Sequence, residues 1–187
     1  MLSHLRPALV LVLLFTLVTG LAYPLVVTGL AQLAFPAQAR GSLVTGPDGH
    51  VQGSILIAQA FAGPRYLHPR GSSAGTGYDA TSSSGSNLGP MDSKLADRIA
   101  KDAATLRAEA PDAAIPADAV TQSGSGLDPE ISPQNALLQA PRVAKARHLS
   151  LGQVQSLIAR YETGPALGFI GQPAVNVLAV NRELDRL

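Results

Sequence analysis

The chain contains no cysteine and no tryptophan, and only four tyrosines and four phenylalanines. Without cysteine there are no disulfides and no thiolate metal centres, although this does not identify a compartment. So few aromatic rings argue against a stacking platform for single-stranded nucleic acid. Charge of either sign is also scarce at 14% of residues, and 14 Lys/Arg stand against 13 Asp/Glu. That balance leaves no basic stripe of the kind nucleic acid requires. Between Arg6 and Arg40 there is no charged side chain at all.

The chain does have a long apolar run from Ala8 to Phe35, within a total of 187 residues. That length suits one domain and a tether rather than two ordinary domains. A bilayer core needs about 20 helical residues, so the run can span it with some tilt. Thr16, Thr19, Gly20, Thr28 and Gly29 break the sequence of large side chains and would let a second helix approach closely. Pro24, next to Tyr23, removes one helical hydrogen bond and is expected to kink the span. A cleaved signal peptide is the competing reading, with Arg6 as its charged start and Ala37-Gln38-Ala39 as a small-x-small site. The apolar run is far longer than a signal core of roughly 7–15 residues, which favours an anchor. The division expected is a membrane anchor over residues 1–36, spanning at about 10–32, and one extracytoplasmic domain over 37–187. Arg6 and the terminal amine face Arg40 across the span, a slight bias toward a cytoplasmic N-terminus.

The remainder is rich in turn formers, with 18 Gly and 14 Pro in the whole chain. Gly46-Pro47-Asp48-Gly49 reads as a turn and Ser54–Ala58 as a short buried strand. Residues 63–90 show neither helical nor strand period, and so long an irregular stretch is functional or disordered. Asp92 or Ser93 can cap a helix carrying Leu95, Ile99 and Leu106 on one face and ending before Pro111. Ala119-Val120-Thr121 is expected as a second strand. Ser132-Pro133 starts a helix that Pro141 should kink or break. Ser150 and Gln153 form a capping box ahead of the stripe Val154, Leu157, Ile158 and Tyr161, which Gly164-Pro165 should stop. Val175–Val180 reads as a final strand. Helices and strands without strict alternation indicate an α+β fold: one transmembrane helix followed by a single loop-rich mixed α/β domain.

Catalytic signatures are weak. Gly71-Ser72-Ser73-Ala74-Gly75 matches G-x-S-x-G but lacks the strand before and helix after that a nucleophile elbow needs. His50, His68 and His148 have no metal-binding spacing. No lysine-bearing phosphate loop is present.

Two near-copies of one heptapeptide stand out: Ser84-Gly85-Ser86-Asn87-Leu88-Gly89-Pro90 and Ser123-Gly124-Ser125-Gly126-Leu127-Asp128-Pro129. Each could be a tight turn with a helix cap, since Ser and Asn bond local backbone, Gly permits positive φ and Pro fixes the exit. Recurrence of the same order suggests loops that also face a partner or ligand. Tyr78, just upstream, belongs to the same candidate region.

These residues resemble the KdpC family, the C subunit of the bacterial potassium-transporting P-type ATPase. The resemblance runs nearly end to end. It is carried by Tyr23-Pro24, Thr28-Gly29, Ala31-Gln32, Phe35–Ala39, Gly41-Ser42-Leu43, Gly53-Ser54, Tyr78–Pro90, Val120–Pro133, Arg142-Val143-Ala144 and Val175–Leu178. Gly71, Asp79, Gln172 and Arg182 depart from the family pattern. The resemblance implies a noncatalytic accessory subunit in the cell inner membrane, with a cytoplasmic N-terminus and a periplasmic domain. Its implied partners are a channel-like potassium-binding subunit, a P-type ATPase subunit and a small single-span subunit. ATP and K+ are then handled by the complex, with no cofactor assigned to this chain, which would stabilise assembly and raise the ATPase subunit's nucleotide affinity as a catalytic chaperone. The alternative is a membrane-anchored periplasmic binding protein or hydrolase using the loop over residues 63–90.

Overall fold

The computed structural model describes residues 4–187; the terminal amine counted in the charge bias lies outside them. The chain divides into two compact units, residues up to Gln52 and Gly53–Leu187.

The first unit is dominated by α1, a helix over Leu5–Ala34 that is long and apolar enough to cross a membrane. Pro24 has no N–H to give the Gly20 carbonyl four residues back. The helix meets that demand without breaking: it widens to π pitch over Val18–Ala22, with the Tyr23 N–H donating to Val18 O. The Thr19 hydroxyl donates to Phe15 O at 2.6 Å, so its polarity is satisfied inside the helix. A single turn, α2 (Pro36–Ala39), follows, and then a hairpin of β1 (Leu43–Thr45) and β2 (Val51–Ser54). The expected Gly46–Gly49 turn joins them, closed by the Gly46 N–H on His50 O at 2.8 Å. Strand β2 starts earlier than expected and stops at Ser54. The Ser54 hydroxyl takes the Leu56 N–H at 3.1 Å, turning the chain and leaving Ile55 and Leu56 exposed.

The second unit is mixed α/β. Its helices are α3 (Ser93–Glu109), α4 (Ala117–Val120), α5 (Pro133–Arg147), α6 (Leu151–Arg160) and α7 (Val177–Leu184). Its sheet is antiparallel, order β3-β5-β4, from β3 (Glu130–Ile131), β4 (Glu162–Thr163) and β5 (Ala174–Asn176). Helix starts follow the capping chemistry. Asp92 accepts from the Lys94 N–H, Ser132 from Asn135, and Ser150 with Gln153 completes a capping box. Helices α5 and α6 pack on the sheet and α7 around Val143, Val154, Ile158, Val175, Val180 and Leu184, all essentially solvent-free. Burying each of these side chains contributes about 1.5–3 kcal/mol.

Four further expectations differ from the structure. Residues 119–121 are not a strand: Pro116 opens a single helical turn, and the Thr121 hydroxyl folds back on Ala117 O at 2.8 Å. Pro141 does not break α5, which runs on to Arg147. The carbonyl that Pro141 cannot serve belongs to Leu137, an exposed residue where water can substitute. Helix α6 ends at Arg160, before Gly164-Pro165, because Glu162 and Thr163 pair with Val175 and Ala174. The last strand is only three residues long. Asn176 accepts from the Ala179 N–H and converts Val177–Val180 into helix, whose buried face is Val177, Leu178, Val180, Asn181 and Leu184.

Asn181 is completely buried on that face. Its side chain accepts from the Leu67 N–H and donates to the Leu67 carbonyl, each at 2.8 Å. Leu67, itself fully buried, lies in a segment with no strand neighbour, so the amide takes the place of a β-bridge. Replacing Asn181→Leu adds apolar bulk but orphans two buried backbone groups, at about 1–3 kcal/mol each. We expect chemical denaturation of the detergent-solubilised chain to show a loss of roughly 2–4 kcal/mol. An unchanged midpoint would contradict the role assigned to Asn181.

Candidate functional site

The two Ser-Gly heptapeptides meet. The Ser84 N–H donates to Ser125 O at 3.0 Å and the Ser83 hydroxyl to the same oxygen at 2.9 Å. They touch through equivalent glycines: a Cβ on Gly85 would fall 2.8 Å from the Gly124 carbonyl oxygen. Their fourth residues share a left-handed conformation, with Asn87 at φ 53° and Gly126 at φ 70°. Asparagine tolerates that region, but only the exposed Asn87 has room for a side chain. At Gly126 a Cβ would lie 2.6 Å from Ser84 O and 2.8 Å from the Ala74 side chain.

Otherwise the copies differ. The second is closed on itself: the buried Ser123 Oγ accepts from the Gly126 N–H at 3.1 Å and from Asp128 at 3.3 Å. Ser125 Oγ takes the Leu127 N–H at 3.1 Å. Buried Leu127 then offers its carbonyl to the Ala58 N–H at 2.8 Å, and Pro129 offers its own to Val177 at 3.0 Å. The first copy has no such closure and lies against the second. Ser86 and Leu88 are half-buried, and Gly89 and Pro90 are exposed at the exit. The Gly89 carbonyl accepts from Asp92 at 3.0 Å, leading into α3.

A third loop, Arg70–Tyr78, braces both. Gly71 bridges Gln122 in parallel sense, with its carbonyl accepting from the Ser123 N–H at 3.2 Å. Ala74 is solvent-free against Gly126. Ser72 Oγ accepts from the N–H groups of Ala74 and Tyr78, at 3.1 and 2.8 Å. The Tyr78 hydroxyl donates to Arg70 O at 2.9 Å, and burial pushes its pKa above the ordinary phenol value. Arg70 clamps the whole: it reaches Asp128 at 3.2 Å, Thr121 Oγ at 3.2 Å and Gln122 O at 3.0 Å. Gln122 Oε1 receives the Ser73 hydroxyl at 2.5 Å and Arg98 from α3 at 3.0 Å. Arg70, Arg98 and Gln122 carry no signature in the sequence. The one signal available is position, since Gln122 directly precedes the second heptapeptide.

The chemistry available is therefore limited. Ser73, the serine of the G-x-S-x-G match, spends its proton on an amide oxygen, with neither a strand before it nor a helix after it. A cavity of about 490 Å³ opens beside Arg70, Asp118, Asp128 and Glu130. Two of its carboxylates, Asp118 and Asp128, are held by protein donors. Burial alone would raise the Asp118 pKa, but donors from Ser132 and Asn135 outweigh it and hold the group below the usual range. A second cavity, about 270 Å³, lies beside His68, Gln139 and Arg142. Burial lowers the His68 pKa, favouring the neutral ring, whose Nε2 donates to Gly63 O at 2.8 Å. Among the described residues no three of His, Asp and Glu are placed to share a metal ion.

In α1 the Thr16 methyl lies 4.0 Å from where a Gly20 side chain would begin, so these two notch one face. Gly29 is open, and Thr28 and the large ring of Tyr23 are exposed.

One apolar N-terminal helix long enough to cross a membrane, followed by a mixed α/β unit with cross-braced loops, gives the chain the make-up of a membrane-anchored protein. The model of the family described as "KdpC: K+-transporting ATPase, c chain" matches residues 5–186. The potassium-transporting ATPase KdpC subunit of Caulobacter sp. (strain K31) is 68% identical over 185 residues, covering 99% of this chain and 94% of the relative. Its counterpart in Caulobacter vibrioides (strain NA1000 / CB15N) is 64% identical with the same coverage. That of Mycobacterium bovis (strain BCG / Pasteur 1173P2) is 54% identical, covering 98% of each. The chain belongs to the KdpC family.

The close approach of the loops makes a graded glycine prediction. Gly126→Ala and Gly85→Ala each force a Cβ onto backbone, whereas nothing lies within 4 Å of a Cβ on Gly124. The first two should cost about 1–3 kcal/mol, and Gly124→Ala should stay within about 0.5 kcal/mol of the parent. Thermal melting of the three variants checks the order. Equal melting temperatures would contradict the bracing.

Proposed function

We propose that this chain is a noncatalytic accessory and assembly subunit of an ATP-driven potassium-uptake complex. It sits in the cell inner membrane, with its N-terminus cytoplasmic and its second unit periplasmic. The observation that carries the reading is the family match over residues 5–186. The bracing of the loops supports it: Ser72, Ser73, Ser123 and Ser125 all have their hydroxyls engaged within the loop module, and none is paired with a base.

In this reading α1 packs against a neighbouring transmembrane helix through the face around Thr16, Gly20, Tyr23, Pro24, Thr28 and Gly29. Small residues allow close backbone approach there, the chief source of helix association in lipid. The partners are the channel-like potassium-binding subunit, the P-type ATPase subunit and the small single-span subunit. The periplasmic loops, from Tyr78 through Pro90 and Ser123 through Pro129, form a stiff cover at the ion entrance of the channel-like subunit. ATP and K+ are bound by partners. Any rise in the ATPase subunit's nucleotide affinity passes through the transmembrane partner, because a periplasmic loop cannot touch cytoplasmic ATP.

Deleting the chain tests this. We expect loss of potassium-stimulated ATPase activity and of complex recovery from detergent extracts, restored by the wild-type chain in trans. Normal high-affinity potassium uptake in the deletion strain would overturn the reading.

A further inference from the structure

Between β4 and β5 the chain makes an excursion over residues 164–173 that stays out of the core. Leu167, Phe169 and Ile170 stand 84%, 77% and 54% exposed. Their backbone is nevertheless tightly built. Ala166 and Ile170 exchange N–H···O bonds of 2.9 Å in both directions. The Gly168 N–H donates to Pro165 O at 3.0 Å, and Phe169 to Ala166 O at 3.3 Å. Leu167 is held at φ 54°, which costs a non-glycine residue roughly 1–2 kcal/mol, and a loose tip would relax it. No charged side chain occurs between Glu162 and Arg182.

We propose that this apolar crown docks into an uncharged, apolar recess on the extramembrane surface of another subunit of the transport complex. The assignment rests on the accessory-subunit reading and gives that subunit a second contact, separate from α1 and from the Ser-Gly loops. The charge pattern selects the occupant. Surface segments that bind lipid combine apolar side chains with Lys/Arg, or with Trp/Tyr at the interface. This excursion has neither kind. Depletion of charge around Phe and large aliphatic side chains matches the buried centre of a protein interface instead. A backbone already closed by its own hydrogen bonds loses little entropy on docking. The KdpC relatives carry the name of an ATPase subunit, so partners are at hand.

The test uses the complex in its native membrane. A photo-crosslinker replacing Phe169 should give an adduct with another subunit of the complex, identified by mass. In parallel, the double variant Leu167→Asp/Phe169→Asp on a tagged chain should recover at least about tenfold less partner in mild detergent. Its melting temperature as an isolated chain should be unchanged, because both side chains are exposed. Should the aspartates disturb melting, Leu167→Ser/Phe169→Ser and the crosslink decide. Adducts only with lipid or with a second copy of this chain would overturn the proposal, as would full partner recovery by the double variant. If the wild-type chain recovers its partners and the variant does so equally, this surface fails and the accessory reading stands. If the wild-type chain recovers none, both fail.

Discussion

A backbone without a strand neighbour has to find its hydrogen bonds among side chains, and the second unit is organised around that demand. The stretch from Phe61 to Arg70 runs through the domain without regular structure. Buried polar backbone cannot be left unpaired cheaply. Asn181 therefore pairs both groups of Leu67, and Gln139 pairs both groups of His68. Arg142 gathers the carbonyls of Pro64 and Tyr66. Arg147, its side chain only 5% exposed, bonds Arg65 O, Leu184 O and Asp185 while lying 4.9 Å from the centre of the Tyr66 ring. The amide and guanidinium groups of α5 and α7 thus replace a sheet.

The Ser-Gly loops inherit their position from that wiring. Once the segment is pinned, Arg70 emerges at a fixed place and clamps Thr121, Gln122 and Asp128, which sets the second heptapeptide. The first heptapeptide then rests on the second through Gly85 and Ser84. Two similar sequences end in unequal roles, one a closed turn and the other a strap across it. Their shared residues are explained by a shared left-handed fourth position and by close approach, without reactive chemistry. Such a module is suited to presenting a fixed surface, in keeping with membership of a family of transport-ATPase subunits.

Much of this was legible in the chain. Helix starts at Asp92, Ser132 and Ser150 follow from side-chain oxygens placed to accept the first free N–H groups, a local effect that sequence carries fully. The strands were harder, because each is only two to four residues long and is defined by its partner rather than by its own period. Val175–Val180 looks extended by composition, yet Asn176 caps a helix there, and the spacing Val177, Val180, Asn181, Leu184 had recorded the helical face. Asn181 on that apolar stripe was the visible sign of a buried polar contact. Its partner, Leu67, was not visible, being 114 residues away. The meeting of the two heptapeptides was equally beyond sequence, since repetition alone does not show that copies touch.

These irregular segments form a rigid scaffold wired by side chains, and native-state hydrogen exchange measures that rigidity directly. The amides of Leu67, Ser84 and Ser123 all donate to protein acceptors. They should exchange as slowly as the core of α5, within about tenfold, and all three should be released together by Asn181→Leu. Exchange of Ser84 and Ser123 at the rate of an unstructured loop, with α5 still protected, would contradict the account.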